Sequence, residues 1–249
     1  MKGIILAGGK GTRLYPLTEV TNKHLVPVGN LPMIEYPLST LIGIGASSIS
    51  VVTGGEHFQD IARYLGTLHP QIPFSYHYQS KAGGIAQALS LTEPFVKDGK
   101  IAVILGDNVF DENFYQAAKD FENSNQGAVL FLKSVKDPQR FGIAEISEER
   151  IAGIEEKPSH PKSDLAVTGL YFYDSTVFDK IRILNPSLRG ELEITDVNNL
   201  YLKENKLGFY ILNGFWSDAG TLESREFCEN FVKQSLEQRV ADSLGIRLN

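Results

Sequence analysis

Four short apolar runs punctuate the first 105 residues: GIILA at 3–7, SISVVT at 48–53, FSYHY at 74–78 and IAVIL at 101–105. Between them lie stretches with apolar residues three and four apart, which predict helices over 32–43, 56–65 and 85–91. Pro32 suits a first helical turn, and Phe58, Ile61, Ala62 and Leu65 share one face of the second helix. Runs as unbroken as IAVIL fit strands buried on both sides. Strand–helix alternation of this kind predicts a parallel sheet with helices on both faces. From Gly127 the rhythm changes. GAVLFLKSV, FGIAEI, RIAGIEE and AVTGLYFYD are strand-like with short polar connections, so antiparallel pairing is expected to extend the sheet, with one more strand at 209–212. Thr221 is expected to cap one long closing helix to about Ser243, with Phe227, Phe231, Leu236 and Val240 broadly on one face.

The expected fold is therefore α/β: a three-layer α/β/α, Rossmann-like arrangement with a mixed, mostly parallel sheet and an antiparallel part. The 249 residues suffice for one substantial core. No linker, repeat or low-complexity tract divides them, so a single domain over 1–249 is expected. A net charge of −6, with no basic cluster longer than two residues, argues against an extended nucleic-acid groove. A small anionic ligand needs only a few local cations and stays open. The single cysteine, Cys228, excludes an intramolecular disulfide and any cysteine-based metal cluster. It sits in a helical pattern and is read as packed. No segment approaches the ~18 apolar residues of a membrane span, and Ile4–Ala7 is too short for a signal-peptide core. The reading is a cytoplasmic protein with no membrane partner.

The first apolar run ends in LAGGKGTRL, residues 6–14. A Walker A loop needs Lys followed by Ser or Thr, and here Lys10 is followed by Gly11; a dinucleotide loop needs a final Gly where Leu14 stands. Neither template fits. What remains is a run of backbone N–H donors free of bulky side chains, closed by Arg13, which can make bidentate contact to phosphate. A tight turn between strand and helix is the plainer alternative. Asp107, in ILGDN, falls just past a buried strand, where open α/β sheets bind ligands. Asp218, in FWSDAGT, is placed in a glycine-containing turn before the closing helix. Two aspartates from distant segments suit one Mg²⁺ shared with phosphates. Either aspartate alone reads equally well as a helix cap, and Lys23, in a proline-bounded apolar loop, reads equally well as a solvated charge. His24 is read as structural. His57, His69, His77 and His160 have no metal-ligand spacing, and no G-x-S-x-G elbow or Cys–His pair supports a covalent mechanism.

With these residues in hand, the chain resembles the sugar-phosphate nucleotidylyltransferases, most closely those that use glucose 1-phosphate and a thymidine nucleotide. The signature L-A-G-G-x-G-T-R-L-x-P-x-T is present at 6–18. NKHLVPVGNLPMI, Gln79 with GIAQA, LGDN, RFGIAE, EEKP, PKSDLAVTGLYFYD, RGELEITDVNN and WSDAGT follow in family order, from residue 2 to about 224. The resemblance implies transfer of a thymidylyl group from dTTP to glucose 1-phosphate, giving dTDP-glucose and pyrophosphate, by in-line attack on the α-phosphorus. It implies that Gly8, Gly9, Gly11 and Thr12 hold the triphosphate, that Arg13 clamps the leaving pyrophosphate, and that Lys23 grips the sugar phosphate. Gln79 and Gly84 would read the thymine edge; Asp107 and Asp218 would hold Mg²⁺. Asn108, Gly142, Glu156 and Val167 would line the sugar site, Lys157 would add charge near the phosphates, and Glu191 would contact a sugar hydroxyl. It further implies a nucleotide-binding half at 1–125, a sugar-binding half at 126–220, a closing helix at 221–249, and a homo-oligomer, dimer or tetramer. Two departures stand out. The usual Ser-Lys-Gln is Asn22-Lys23-His24, and the usual Pro-Asp before Gly84 is Ala82-Gly83, which touches the base-binding loop. A uridylyl or other nucleotidylyltransferase, or a non-catalytic sugar-nucleotide sensor, are the alternative readings.

Overall fold

The computed structural model describes residues 1–55 and 57–248. Strand β1 (Lys2–Ala7) runs through the interior of a nine-stranded sheet. It is followed by a small hairpin, β2 (Pro27–Val28) and β3 (Leu31–Pro32), then α1 (Glu35–Ile44) and β4 (Ile49–Gly54). Next come α2 (Phe58–Leu68), β5 (Phe74–Gln79), the short helices α3 (Ile85–Ser90) and α4 (Glu93–Val96), and β6 (Ile101–Leu105). β4 and β6 flank β1 in parallel, and β5 pairs in parallel outside β4. Side chains alternate between the faces of a strand, and β1 uses both faces. Ile4 and Leu6 enter one core and Ile5 and Ala7 the other.

The second half supplies β7 (Asn108–Asp111), α5 (Tyr115–Asn123), β8 (Ala128–Ser134), β9 (Gly142–Ser147), β10 (Arg150–Glu156) and β11 (Leu165–Tyr173). Then follow α6 (Val177–Arg182), α7 (Ile194–Lys203), β12 (Leu207–Ile211), β13 (Phe215–Asp218), α8 (Leu222–Ser235) and α9 (Glu237–Leu244). β11 is antiparallel to β6, so the polarity of the sheet changes between these two strands. β9 and β10 extend that side antiparallel. One core packs under α1, α2, α5, α8 and α9, and the other under α3, α4, α6 and α7. The three layers and the mixed sheet agree with the sequence reading. Among the described residues no helix is long and apolar enough to cross a membrane.

Several local expectations are corrected. Pro32 lies in β3 and not in a helix; α1 starts at Glu35 and carries Pro37 inside its first turn. The second predicted helix is α2, starting at Phe58; Glu56, its expected start, lies outside the described residues. The strand expected at 209–212 is β12, Leu207–Ile211, and it joins β8 in parallel. Asp218 ends a strand that pairs with β7, where a turn was expected. The closing helix is two helices, broken at Leu236, and Phe227 is exposed while Ser224, Cys228 and Val232 face inward. Cys228 is packed as expected; burial pushes its thiol up to about 12.

The Thr221 cap is present with its partner. Thr221 Oγ1 accepts from Ser224 N at 3.1 Å, and Ser224 Oγ accepts from Thr221 N at 3.1 Å. This capping box fixes where α8 begins, with its cap three residues beyond Asp218. Thr221→Ala is expected to lower unfolding stability by about 1 kcal/mol in denaturant titration, with the m-value unchanged.

Candidate active site

The cleft lies at the carboxyl ends of β1 and β6, where the change in strand polarity leaves room outside the sheet. After β1 the chain turns at Gly8 directly over Gln79, the last residue of β5. A Cβ at Gly8 would run into the Gln79 carboxamide oxygen, so a side chain here would displace that carboxamide from its present position. Gln79 is 8% exposed, and its Nε2 donates to Gln87 Oε1 at 2.7 Å. Further along the loop, Leu14 is fully buried in the core and anchors the turn Thr12–Leu14, which holds Arg13 at the cleft.

Lys23 sits in a short turn capped by Asn22, whose side chain accepts from His24 N at 3.0 Å. From there Lys23 Nζ reaches Asp107 Oδ2 at 2.7 Å. Lys23 is therefore an ion-pair partner and not a solvated charge. Asn108 Nδ2 donates to the other carboxylate oxygen, Asp107 Oδ1, at 3.0 Å. Asn108 Oδ1 in turn accepts from Trp216 Nε1 at 2.7 Å and from Gly169 N at 3.0 Å, at the irregularity in β11. A Cβ at Gly169 would run into the Asn108 carboxamide, so a glycine is needed there. His24 is structural as expected: its Nδ1 lies 2.9 Å from Asn22 Oδ1, and burial, aided by Lys23, pushes its pKa down to about 3.

Asp218 reaches the same place across the β7–β13 ladder, opposite Asn108. Neither aspartate caps a helix; Thr221 does. The position a Cβ on Gly220 would take lies 3.1 Å from Asp218 Oδ2, 3.4 Å from Asp107 Oδ2 and 3.4 Å from Arg13 Nη2. Three charged groups from three distant segments thus converge on one small volume. Arg140 Nη2 approaches Asp218 Oδ1 at 3.3 Å from the outside. The two carboxyls differ in their electrostatics. Burial alone would raise Asp107, but Lys23 and the bonds from Lys23 and Asn108 hold it well below the usual carboxylate range. Burial, and then the Asp107 charge, raise Asp218. Among the described residues no group of three or more His, Cys, Asp or Glu is arranged so that it could hold a metal ion. Two hard carboxylate donors, Asp107 and Asp218, fit Mg²⁺, a hard cation that takes few protein ligands and fills its shell from substrate and water.

Gly8, Gly9, Arg13, Lys23, Gln79, Gly84, Asp107 and Glu191 line one lobe of the cleft, of about 310 Å³. Arg13, Asp107, Asn108, Gly142, Glu156, Lys157, Val167 and Asp218 line the adjoining lobe, of about 470 Å³. Gly11 and Thr12 line neither: Gly11 packs on Lys23 and Thr18, and Thr12 is exposed. Glu156 is held by Thr195 Oγ1 at 2.7 Å and is approached by Arg189 at 3.4 Å. Arg189 also binds Glu193 at 2.8 Å and lies 3.5 Å from Glu191. Arg140, Thr195, Arg189, Trp216 and Gln87 were not singled out from the sequence. Each lies inside a quoted motif, but nothing in its spacing shows that it binds another site residue.

Fold and cleft together set a glycine loop beside paired carboxylates at the carboxyl ends of a parallel sheet. The chain belongs to the nucleotidyl transferase family, whose model matches residues 2–235. It is 46% identical to a glucose-1-phosphate thymidylyltransferase of Neisseria meningitidis over 238 residues, covering 94% of this chain and 83% of that one. It is 41% identical to one of Mycobacterium tuberculosis over 244 residues, covering 96% and 84%. A solved structure of a candidate glucose-1-phosphate thymidylyltransferase from Bacillus anthracis, in complex with a sucrose, superposes with a TM-score of 0.89 at 50% identity, covering 94% and 95%. A UDP-glucose pyrophosphorylase bound to UDP-glucose shares the fold, with a TM-score of 0.84 at 23% identity over 94% and 98%.

The opposed carboxyl shifts give a pH prediction. Ionised Asp107 adds stability at neutral pH, which is lost as pH falls below its unfolded value of ~3.9. Ionised Asp218 instead costs stability above that value. Asp218→Asn is therefore expected to raise the Tm of the ligand-free protein at pH 7, with the gain shrinking as pH is lowered through the raised Asp218 pKa. Thermal melts from pH 7 to pH 4 check this.

Proposed function

We propose that this enzyme transfers a thymidylyl group from dTTP to glucose 1-phosphate, giving dTDP-glucose and pyrophosphate. The reading is carried by the convergence of Arg13, Asp107 and Asp218 on the point beside Gly220, in a chain similar over most of its length to glucose-1-phosphate thymidylyltransferases. The lobe built on the glycine loop and Gln79 is assigned to the nucleotide, and the lobe built on Gly142, Glu156 and Val167 to the sugar. Residues 1–125 and 126–220 then form two halves of one domain, closed by the segment 221–249.

The nucleophile is a sugar-phosphate oxygen already ionised at pH 7, so no general base is required. This agrees with the cleft lining, which among the described residues holds no histidine; burial keeps the pKa of the neighbouring His24 low. Amides of the glycine loop orient the triphosphate. Lys23 turns its ammonium from Asp107 toward the incoming phosphate and reduces repulsion between two anions. Arg13 meets the charge that builds on the departing pyrophosphate. Mg²⁺ held by Asp107 and Asp218 would supply further neutralisation of the phosphate oxygens. Catalysis of this kind is positioning plus electrostatic stabilisation.

Pyrophosphate release over a panel of nucleoside triphosphates and sugar 1-phosphates tests the assignment; dTTP with glucose 1-phosphate is expected to give the highest kcat/KM. A large UTP preference in the intact protein would contradict it. Arg13→Ala and Lys23→Ala are each expected to lower kcat/KM on the order of 100-fold or more, as for loss of one transition-state donor.

A further inference from the structure

We propose that Gln87 is a specificity-determining positioning residue, which fixes the direction in which Gln79 presents its carboxamide to the nucleobase. The inference rests on the assignment of Gln79 to the base-binding lobe and extends it to a residue that does not line the cleft.

Gln79 is almost enclosed, beneath the Gly8 backbone and at the end of β5. Among the described residues the only side chain bonded to its amide is Gln87, through Gln79 Nε2 and Gln87 Oε1 at 2.7 Å. Gln87 stands on α3, two residues beyond Ile85 and one before Ala88, both of which line the same lobe. Gly83 packs against its Cβ and Cγ, where a Cβ on Gly83 would lie 3.0 Å from Gln87 Cγ. Gln87 thus touches Gln79 from behind and the base-binding loop from the side.

The chemistry follows from the symmetry of a carboxamide. Its last torsion is broad and roughly two-fold, so an untethered Gln can offer either its carbonyl or its amino group. A thymine or uracil edge carries an N3–H donor beside a carbonyl. A cytosine edge carries an N3 acceptor beside an amino group. An untethered Gln79 would suit both. With one Nε2–H given to Gln87 Oε1, Gln79 leaves its carbonyl as the free acceptor, which matches N3–H and mismatches cytosine. The device requires that the Gln87 carboxamide, packed against Gly83, keep its oxygen toward Gln79, since its own last torsion is equally two-fold. Gln87 thereby selects between base edges that it never touches.

The test is the ratio of kcat/KM for dTTP to that for dCTP, measured by pyrophosphate release with glucose 1-phosphate. Gln87→Glu keeps only acceptors and is expected to hold or raise the ratio. Gln87→Leu removes the acceptor and is expected to lower it about 10-fold, the worth of one hydrogen bond of ~1.4 kcal/mol. Gln87→Lys offers only donors, turns the Gln79 amino group outward, and is expected to give the lowest ratio of the series. A merely structural role would lower both activities together and leave the ratio unmoved. For a variant that folds but does not turn over, the affinities of dTDP and dCDP by calorimetry give the same ratio. Equal ratios, within two-fold, across wild type, Glu, Leu and Lys would overturn the role of Gln87. Absence of any pyrophosphate release from the wild type with any triphosphate would instead overturn the assigned reaction.

Discussion

The cleft depends on a carboxylate that should not be comfortable where it is. Asp107 lies two residues past β6, whose Ile101–Ile104 are fully buried, and its ionisation is kept favourable by Lys23 on one oxygen and Asn108 on the other. Buried charge of this kind survives only when paired and hydrogen-bonded. Each partner is itself committed. Lys23 rides on a turn capped by Asn22, and Asn108 is gripped by Trp216 and by the backbone of β11. Through these bonds Asp107 ties together the glycine-loop side, the antiparallel side and the β7–β13 ladder.

That ladder also brings in the second carboxylate. Because Asp218 pairs in register with Asn108, its side chain arrives beside Asp107 at a fixed distance. The fold places two like charges together and stabilises only one of them. Burial and the neighbouring Asp107 charge leave Asp218 with a raised pKa. A cation bound between the two carboxylates, as proposed, would relieve that repulsion. Gly220 keeps that volume open, since any side chain there would stand between Arg13 and the two carboxylates.

Much of this was legible in the sequence and part of it was not. Parallel strands announce themselves as short β-branched or aromatic runs, so β1, β4, β5 and β6 are legible to within a residue or two. The glycine loop, Arg13 and Asp107 follow directly from where those strands end. The convergence of Asp107 with Asp218 was not legible, because it rests on a hairpin between residues 108–111 and 215–218, more than a hundred residues apart. Pro32 misled because proline suits both a first helical turn and an edge position in a short strand; the structure uses it in β3 and starts the helix three residues later. The break at Leu236 carries no glycine or proline to mark it. Gln87, Arg140 and Thr195 were hidden because their partners, Gln79, Asp218 and Glu156, are reached through tertiary contact.

The central claim is that Asp107 and Asp218 act as one cation site completed by the nucleotide. Manganese paramagnetic resonance, with Mn²⁺ in place of Mg²⁺, tests it most directly. The account predicts one tightly held Mn²⁺ per chain in the presence of a non-hydrolysable dTTP analogue, much weaker binding without it, and loss of the tight site in both Asp107→Asn and Asp218→Asn. Retention of the tight, nucleotide-dependent site in the Asp107→Asn, Asp218→Asn double variant would contradict it.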